Sequence, residues 1–170
     1  AYNDDDGGSN SGSAYIFHKG SGEWTDMTET AKLTASDAAA SDYFGSAVSL
    51  SGDYALVGAY QDDDYGSSSG SAYIFYKGTG DWSNMTQTAK LTASDAAAND
   101  IFGIAVSLAG DYALVGAYGN DDDGNSSGSA YIFYKGTGDW ANMTQTEKLT
   151  ASDAAAGDYF GYSVSLYGNN

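Results

Sequence analysis

Gly70-Ser71-Ala72-Tyr73-Ile74-Phe75-Tyr76 places Ala72, Ile74 and Tyr76 on one side of an extended chain and Tyr73 and Phe75 on the other. A spacing of two, in residues that are aromatic or β-branched, is the pattern of a strand and not of a helix. The same Gly-Ser-Ala-Tyr-Ile-Phe stretch begins at Gly12 and at Gly128, so the strand recurs with a period of 58 residues. Trp24, Trp82 and Trp140 keep that period, as do Lys32, Lys90 and Lys148 and the pairs Phe44-Gly45, Phe102-Gly103 and Phe160-Gly161, with no insertion or deletion between copies. Such a register implies geometrically equivalent units.

On either side of that stretch the unit continues in short strands. Ala47-Val48-Ser49-Leu50 sets Val48 and Leu50 on one face, Ser51-Gly52 reads as a tight hairpin turn, and Asp53-Tyr54-Ala55-Leu56-Val57-Gly58 resumes as a strand. Lys77-Gly78-Thr79-Gly80-Asp81 is a further turn, after which Thr88 to Ser94 forms another strand. Each unit thus offers four. Asp37-Ala38-Ala39-Ala40-Ser41-Asp42, recurring at Asp95 and Asp153, is too short for an independent helix and reads as a connector with a single helical turn at most. Its flanking carboxylates, Asp37 and Asp42, Asp95 and Asp100, Asp153 and Asp158, are suited to capping the following backbone N–H groups, or to a second cation or an inter-blade contact.

The expected fold is all-β: a single repeat domain over residues 1–170, built as a β-propeller-like array of four-stranded antiparallel blades in three 58-residue repeats with an incomplete terminal blade. Radial repetition of small sheets is one way to protect their edges. Residues 1–43 supply the later strands of a split blade, 44–101 and 102–159 are blade repeats, and 160–170 supply the first strand of a further split blade. Terminal faces left open in this way are expected to seek partners, giving a homo-oligomer or polymer in the form of a ring or a fibre.

Composition narrows the partners. The 23 acidic residues against 6 Lys, with no Arg, give a net charge of −17, a field that repels phosphate and anionic head groups. Nucleic acid and membrane insertion are therefore not expected. The carboxylates must be solvated, screened by salt or neutralised by cations. Without cysteine there is no disulfide framework, thiolate zinc site or thiol nucleophile, and metal chemistry is left to oxygen ligands. No apolar run approaches the ~20 residues that span a bilayer. Abundant Ser, Thr, Gly, Asp and Tyr point to an extracellular or cell-surface location, and a chain opening at Ala1 reads as a processed or excised segment.

Phe44-Gly45, then Ala47-Val48-Ser49-Leu50, then Gly52-Asp53-Tyr54-Ala55-Leu56-Val57-Gly58-Ala59-Tyr60 resembles the FG-GAP repeat of integrin α-subunit propellers and of bacterial surface proteins. A second copy runs from Phe102-Gly103 to Gly116-Ala117-Tyr118 and a third begins at Phe160-Gly161, so the resemblance covers essentially the whole chain, with Tyr60 and Tyr118 where the family name has Pro. The resemblance implies propeller blades, calcium loops and roles in adhesion. The integrin-type Asp-x-Asp-x-Asp-Gly loop lies between the first two strands, however, and that connection is only Ser51-Gly52 in this chain.

Candidate metal ligands lie elsewhere. Asp4-x-Asp6-x-Gly8, Asp62-x-Asp64-x-Gly66 and Asn120-x-Asp122-x-Gly124 alternate oxygen ligands before a glycine, as a tight Ca²⁺ loop requires. The same residues also suit a solvated acidic turn that blunts aggregation. The Trp set and the many Tyr residues fit either a blade core or a surface for stacking sugars, which would make the chain a glycan- or protein-binding module. Asn84-Met85-Thr86, Asn142-Met143-Thr144 and Asn125-Ser126-Ser127 match the N-glycosylation acceptor pattern. His18, the only histidine, is replaced by Tyr76 and Tyr134 in the other copies and reads as a strand-face residue. No nucleophile–base grouping or phosphate loop is visible, so the expectation is a non-catalytic structural or adhesive protein that self-associates into a fibre, surface layer or ring.

Overall fold

In a computed structural model the described residues are 1–25 and 27–168. They form strands β1 (Ala14–Ile16), β2 (Ala31–Thr34), β3 (Ala47–Ser51), β4 (Tyr54–Ala59), β5 (Ser71–Tyr76), β6 (Met85–Thr86), β7 (Ala89–Thr92), β8 (Ala105–Ala109), β9 (Tyr112–Ala117), β10 (Ser129–Tyr134), β11 (Met143–Thr144) and β12 (Glu147–Leu149), and no helix. The strands make three sheets, in the orders β1-β2-β6, β11-β7-β5-β4-β3 and β12-β10-β9-β8.

Within a unit the pairing is antiparallel and in identical register: Leu56 lies opposite Ile74 in the second sheet and Leu114 opposite Ile132 in the third. The period-2 pattern then sends alternate side chains to opposite faces. One face of the second sheet buries Val57, Tyr73 and Phe75 with Phe44 and with Ile16 and Leu33 of the preceding unit. The other buries Leu56, Ile74 and Leu91 with Val115, Tyr131, Phe133 and Phe102. Each such side chain contributes about 1.5–3 kcal/mol by leaving water, so the cores lie between sheets and hold neighbouring units together.

The Phe-Gly pair sits at these junctions. Phe102 is edge-on to Tyr131, with ring centroids 5.5 Å apart. The Gly103 N–H donates to the Gly116 carbonyl at 3.0 Å, as Gly45 does to Gly58. The Gly103 carbonyl in turn lies against Gly58 of the preceding unit so closely that a Cβ on Gly58 would overlap it. The glycines of the signature thus mark backbone-on-backbone contact between consecutive sheets.

Four departures from the sequence reading have physical causes. The second sheet has five strands and not four, because Met143–Thr144 of the next unit adds parallel to β7; β6 does the same to β2. Two-residue strands give too weak a pattern to be seen in sequence. The hairpin loop is Gly52-Asp53, one residue later than expected, since Ser51 still pairs with Tyr54 and Gly52 takes the left-handed φ of 57°. The Ala-rich connector makes successive turns without a helical turn, Ala38 N–H reaching Ala35 and Asp42 N–H reaching Ala39. Finally, residues 163–167 adopt no strand: the Leu166 N–H donates to Ser107 Oγ at 2.9 Å, but no neighbouring strand meets this segment to form a ladder. Residues 169 and 170 of the proposed first strand lie outside the described residues.

Candidate functional site

The acidic loops fold back on themselves before entering β1, β5 and β10. In the second unit Gly70 N–H and Ser69 Oγ both donate to the Asp62 carbonyl, at 2.8 and 3.1 Å. This closure buries the Asp62 carboxylate, which accepts from Ser71 Oγ at 3.0 Å and from Tyr73 OH at 2.8 Å. A buried carboxylate still needs a counter-charge, and Lys90 supplies it. In β7 Lys90 points opposite to Leu91 and pairs across the sheet with Tyr73. Its Nζ lies 3.0 Å from Asp62, 2.6 Å from Asp64 and 2.8 Å from Asp37 of the preceding connector, and 5.2 Å from the centre of the Tyr73 ring.

The first unit repeats the arrangement with Lys32 donating to Asp4 at 3.3 Å and to Asp6, while Tyr15 OH donates to Asp4 at 2.9 Å. In the third, Lys148 reaches Asp95 at 2.6 Å, Asn120 Oδ1 at 3.2 Å and Asp122. All six residues read from sequence as candidate metal ligands, Asp4, Asp6, Asp62, Asp64, Asn120 and Asp122, therefore converge in pairs on a lysine ammonium. Burial works against the charge on Lys90, yet hydrogen bonds to Asp37 and Asp64 and the charge of Asp62 raise its pKa well above the ordinary lysine value. Partial burial works to raise the pKa of Asp4, but donors from Tyr15, the Asp6 backbone and Lys32 hold it below the usual carboxylate value.

Asp37, Asp62 and Asp64 each bring an oxygen within 4.8 Å of the others, enough carboxylates to ligate one hard cation. For Asp37 the structure favours the contact between units that the sequence offered as an alternative to capping; that its partner is Lys90 of the following unit was missed. The signal lay in the lysines themselves, which keep the period and stand between two small or apolar residues in Ala89-Lys90-Leu91, facing the Tyr73 side of the sheet.

Three other connector carboxylates do cap backbone N–H groups, but ones three residues before them and not the following ones. Asp42, Asp100 and Asp158 accept from the N–H groups of Ala39, Ala97 and Ala155 at 2.7, 2.8 and 2.8 Å. Burial, with the nearby carboxylates of Asp62, Asp63 and Asp37, pushes the pKa of Asp42 up to about 6, and burial raises that of Asp100. A carboxyl whose pKa is higher folded than unfolded binds the extra proton only in the folded state. Its penalty is therefore absent below the unfolded value near 3.8, grows as pH rises, and is complete above about 6. Unfolding free energy is expected to fall by about 1–3 kcal/mol from this residue between pH 4 and 6.5, and Asp42→Asn, which keeps the acceptor oxygen, flattens that slope in urea titrations at the two pH values.

Asn120 leaves a defect that its counterpart Asp62 does not. Tyr131 OH, buried, has no hydrogen-bond partner among the described residues, whereas Tyr73 OH bonds to Asp62. Asn120→Asp restores that acceptor and a counter-charge for Lys148, and is expected to raise stability by about 1 kcal/mol in chemical denaturation.

The remaining sequence candidates separate by unit. Trp140 is buried, Trp82 is partly buried against the core of the first two sheets, and Trp24 is exposed. Asn84 and Asn142 use Oδ1 to accept the backbone N–H of Lys32 and Lys90, each at 2.8 Å. His18 is not on a strand face as the sequence suggested: it lies just past β1, exposed, with its backbone N–H donating to Thr30 Oγ1 at 3.0 Å.

Sheets of one topology, repeated at a fixed period and sharing their cores with the next copy, define a tandem β-repeat protein. The chain belongs to the FG-GAP repeat family, whose repeat model matches residues 27–75, 85–133 and 143–170. No curated protein matches the chain. Among the described residues no helix is long and apolar enough to cross a membrane.

Proposed function

We propose that the chain is a non-catalytic structural and adhesive module of the cell exterior. Its sheets act as blades of a propeller-like array, completed by further copies of the same unit in a fibre, surface layer or ring. One comparison carries this reading. Leu108 of β8 lies against β3 and is 6% exposed, whereas its equivalent Leu50 of β3, with no earlier strand beside it, is 61% exposed, and Val48 is exposed with it. An apolar face that is core in one unit and open in the next is a surface shaped for another copy. Membership in a family found at cell surfaces, the net charge of −17 and the absence of cysteine fit that setting. Sedimentation velocity and negative-stain microscopy test the reading: assemblies growing with concentration are expected, and a monomer at every concentration would sink it.

A binding module is the second reading, favoured by a cluster of tyrosines. Tyr43 and Tyr60 stack at 5.6 Å with Tyr2 beside them, and Tyr118 packs against Tyr159 and Tyr162, which leave wide ring area exposed. Such faces suit sugars, and retention of a monomer on a glycan array would favour this reading. Calcium belongs to either reading through Asp37, Asp62 and Asp64, provided that Lys90 withdraws. A melting temperature that rises with calcium and falls with chelator would support an ion there.

A further inference from the structure

The two joints inside the chain are each made by an arm. Residues between β5 and β7 leave their own sheet and lie along the preceding one, where β6 runs parallel to β2 with Met85 opposite Leu33 and Thr86 opposite Thr34. Side chains fasten both ends: Asn84 Oδ1 accepts from Lys32 N–H at 2.8 Å, Gln87 Oε1 accepts from Ser36 N–H at 2.9 Å, and Gln87 Nε2 donates to Ser36 Oγ at 2.8 Å. Trp82 and Met85 close the core behind them. One period later β11 lies along β7, with Met143 opposite Leu91 and Thr144 opposite Thr92, fastened by Asn142 and Gln145 and closed by Trp140 and Met143.

One arm and one edge are left over. Trp24 is 64% exposed where Trp140 is 3% exposed, and Met27 is exposed as well. At the other end Leu149 of β12 is 38% exposed, whereas Leu33 and Leu91, covered by their arms, are 0% exposed. The unused arm ends in Met27-Thr28, the same pair as Met85-Thr86 and Met143-Thr144, and the unused edge reads Lys148-Leu149-Thr150 as at Lys32-Leu33-Thr34 and Lys90-Leu91-Thr92.

We propose that the arm carrying Trp24, Met27, Thr28 and Glu29 lies parallel along β12 of a second copy of this chain, in the register of the internal joints. Met27 is then opposite Leu149 and Thr28 opposite Thr150, and the Glu29 carboxylate accepts from the Ser152 N–H and hydroxyl. This rests on the reading above that the chain self-associates, and names the surfaces that meet. Arm and edge lie at opposite ends, so the contact is heterologous and repeats without self-limiting unless the turn closes a ring. Strand addition of this kind draws affinity from main-chain hydrogen bonds and specificity from side-chain pockets. Three carboxylates distinguish the joint from the internal ones: in the sequence Asp26 stands where Asn84 and Asn142 do, Glu29 where Gln87 and Gln145 do, and Glu147 where Ala31 and Ala89 do. Their repulsion is screened by salt, so the joint tightens as ionic strength rises.

Thr28→Cys and Thr150→Cys test the register in a chain that has no other cysteine, since neighbouring strands bring Cα atoms within disulfide range. The two single variants, mixed in 0.5 M salt (about the ionic strength at which screening acts within ~4–5 Å) and oxidised, are expected to form a heterodimer at least about tenfold faster than either forms a homodimer. Trp24→Ala, a change at an exposed site, is expected to weaken association about thirtyfold, as removal of an aromatic anchor does. Mixed cross-linking no faster than the single variants, in a chain that sediments as an assembly, overturns this joint and leaves self-association standing. A monomer at every concentration and salt overturns both.

Discussion

Lys90→Met is expected to lower the unfolding free energy by about 3–5 kcal/mol, the usual effect of removing one partner from a buried ion pair. The Lys90 side chain is largely buried and Asp62 is almost wholly so. Without the ammonium, Asp62 keeps the hydroxyl donors of Ser71 and Tyr73 and a long bond from the Asp64 N–H at 3.4 Å, while Asp37 and Asp64 are left facing it with no cation to offset their mutual repulsion. Urea denaturation measures the loss, and a decrease below about 1 kcal/mol would mean that water already serves those carboxylates, as at exposed pairs. The same variant separates lysine from metal. If the ammonium is the cation of this site, millimolar calcium leaves the melting temperature of the parent chain unchanged and raises that of Lys90→Met, because only the variant frees three carboxylates for an ion. The sign with pH follows from the raised lysine pKa: the contribution is complete below about 10.5 and is lost as pH climbs through the higher folded value.

Gly58→Ala is expected to cost about 3 kcal/mol or more, beyond the range of ordinary overpacking, because the obstacle is backbone. The added methyl would overlap the Gly103 carbonyl, and neither strand can give way: the Gly58 carbonyl already accepts from Gly45 N–H at 3.0 Å, and Gly103 N–H is committed to Gly116. Relief requires the second and third sheets to part, which would expose the Leu56, Ile74 and Phe133 core. Gly80→Ala, at a turn with open space around it, is the control and stays within about 0.5 kcal/mol in the same urea titration.

Most of the fold was legible because its signals are local. Short runs of aromatic and β-branched residues in Ser71–Tyr76 and Tyr54–Ala59, apolar on both faces, announce strands, and the uninterrupted period announces that what one copy does the others repeat. What escaped was cooperation between copies. Met85-Thr86 carries almost no strand signal by itself, because its hydrogen bonds run to β2 of another unit and its Asn and Gln neighbours look like ordinary turn residues. The acidic loops were visible as clusters of oxygen ligands, but a cluster does not say which cation it holds. The answer lay 26 and 28 residues further on, in a lysine whose alternation with Ala and Leu aims it at the loop. Asp37 was the hardest to place, since its partner is 53 residues away in the next unit.

The backward-reaching arms also set an order of events during synthesis. Lys32 and Ser36 wait for Asn84 and Gln87, made 52 and 51 residues later, before their N–H groups are satisfied. A nascent chain is therefore expected to carry one unfinished sheet behind the point of elongation until the following unit has left the ribosome, each new unit locking the last one before it is itself locked. On that order maturation is expected to trail translation by one repeat, and truncation at a repeat boundary to leave the final sheet without its covering arm.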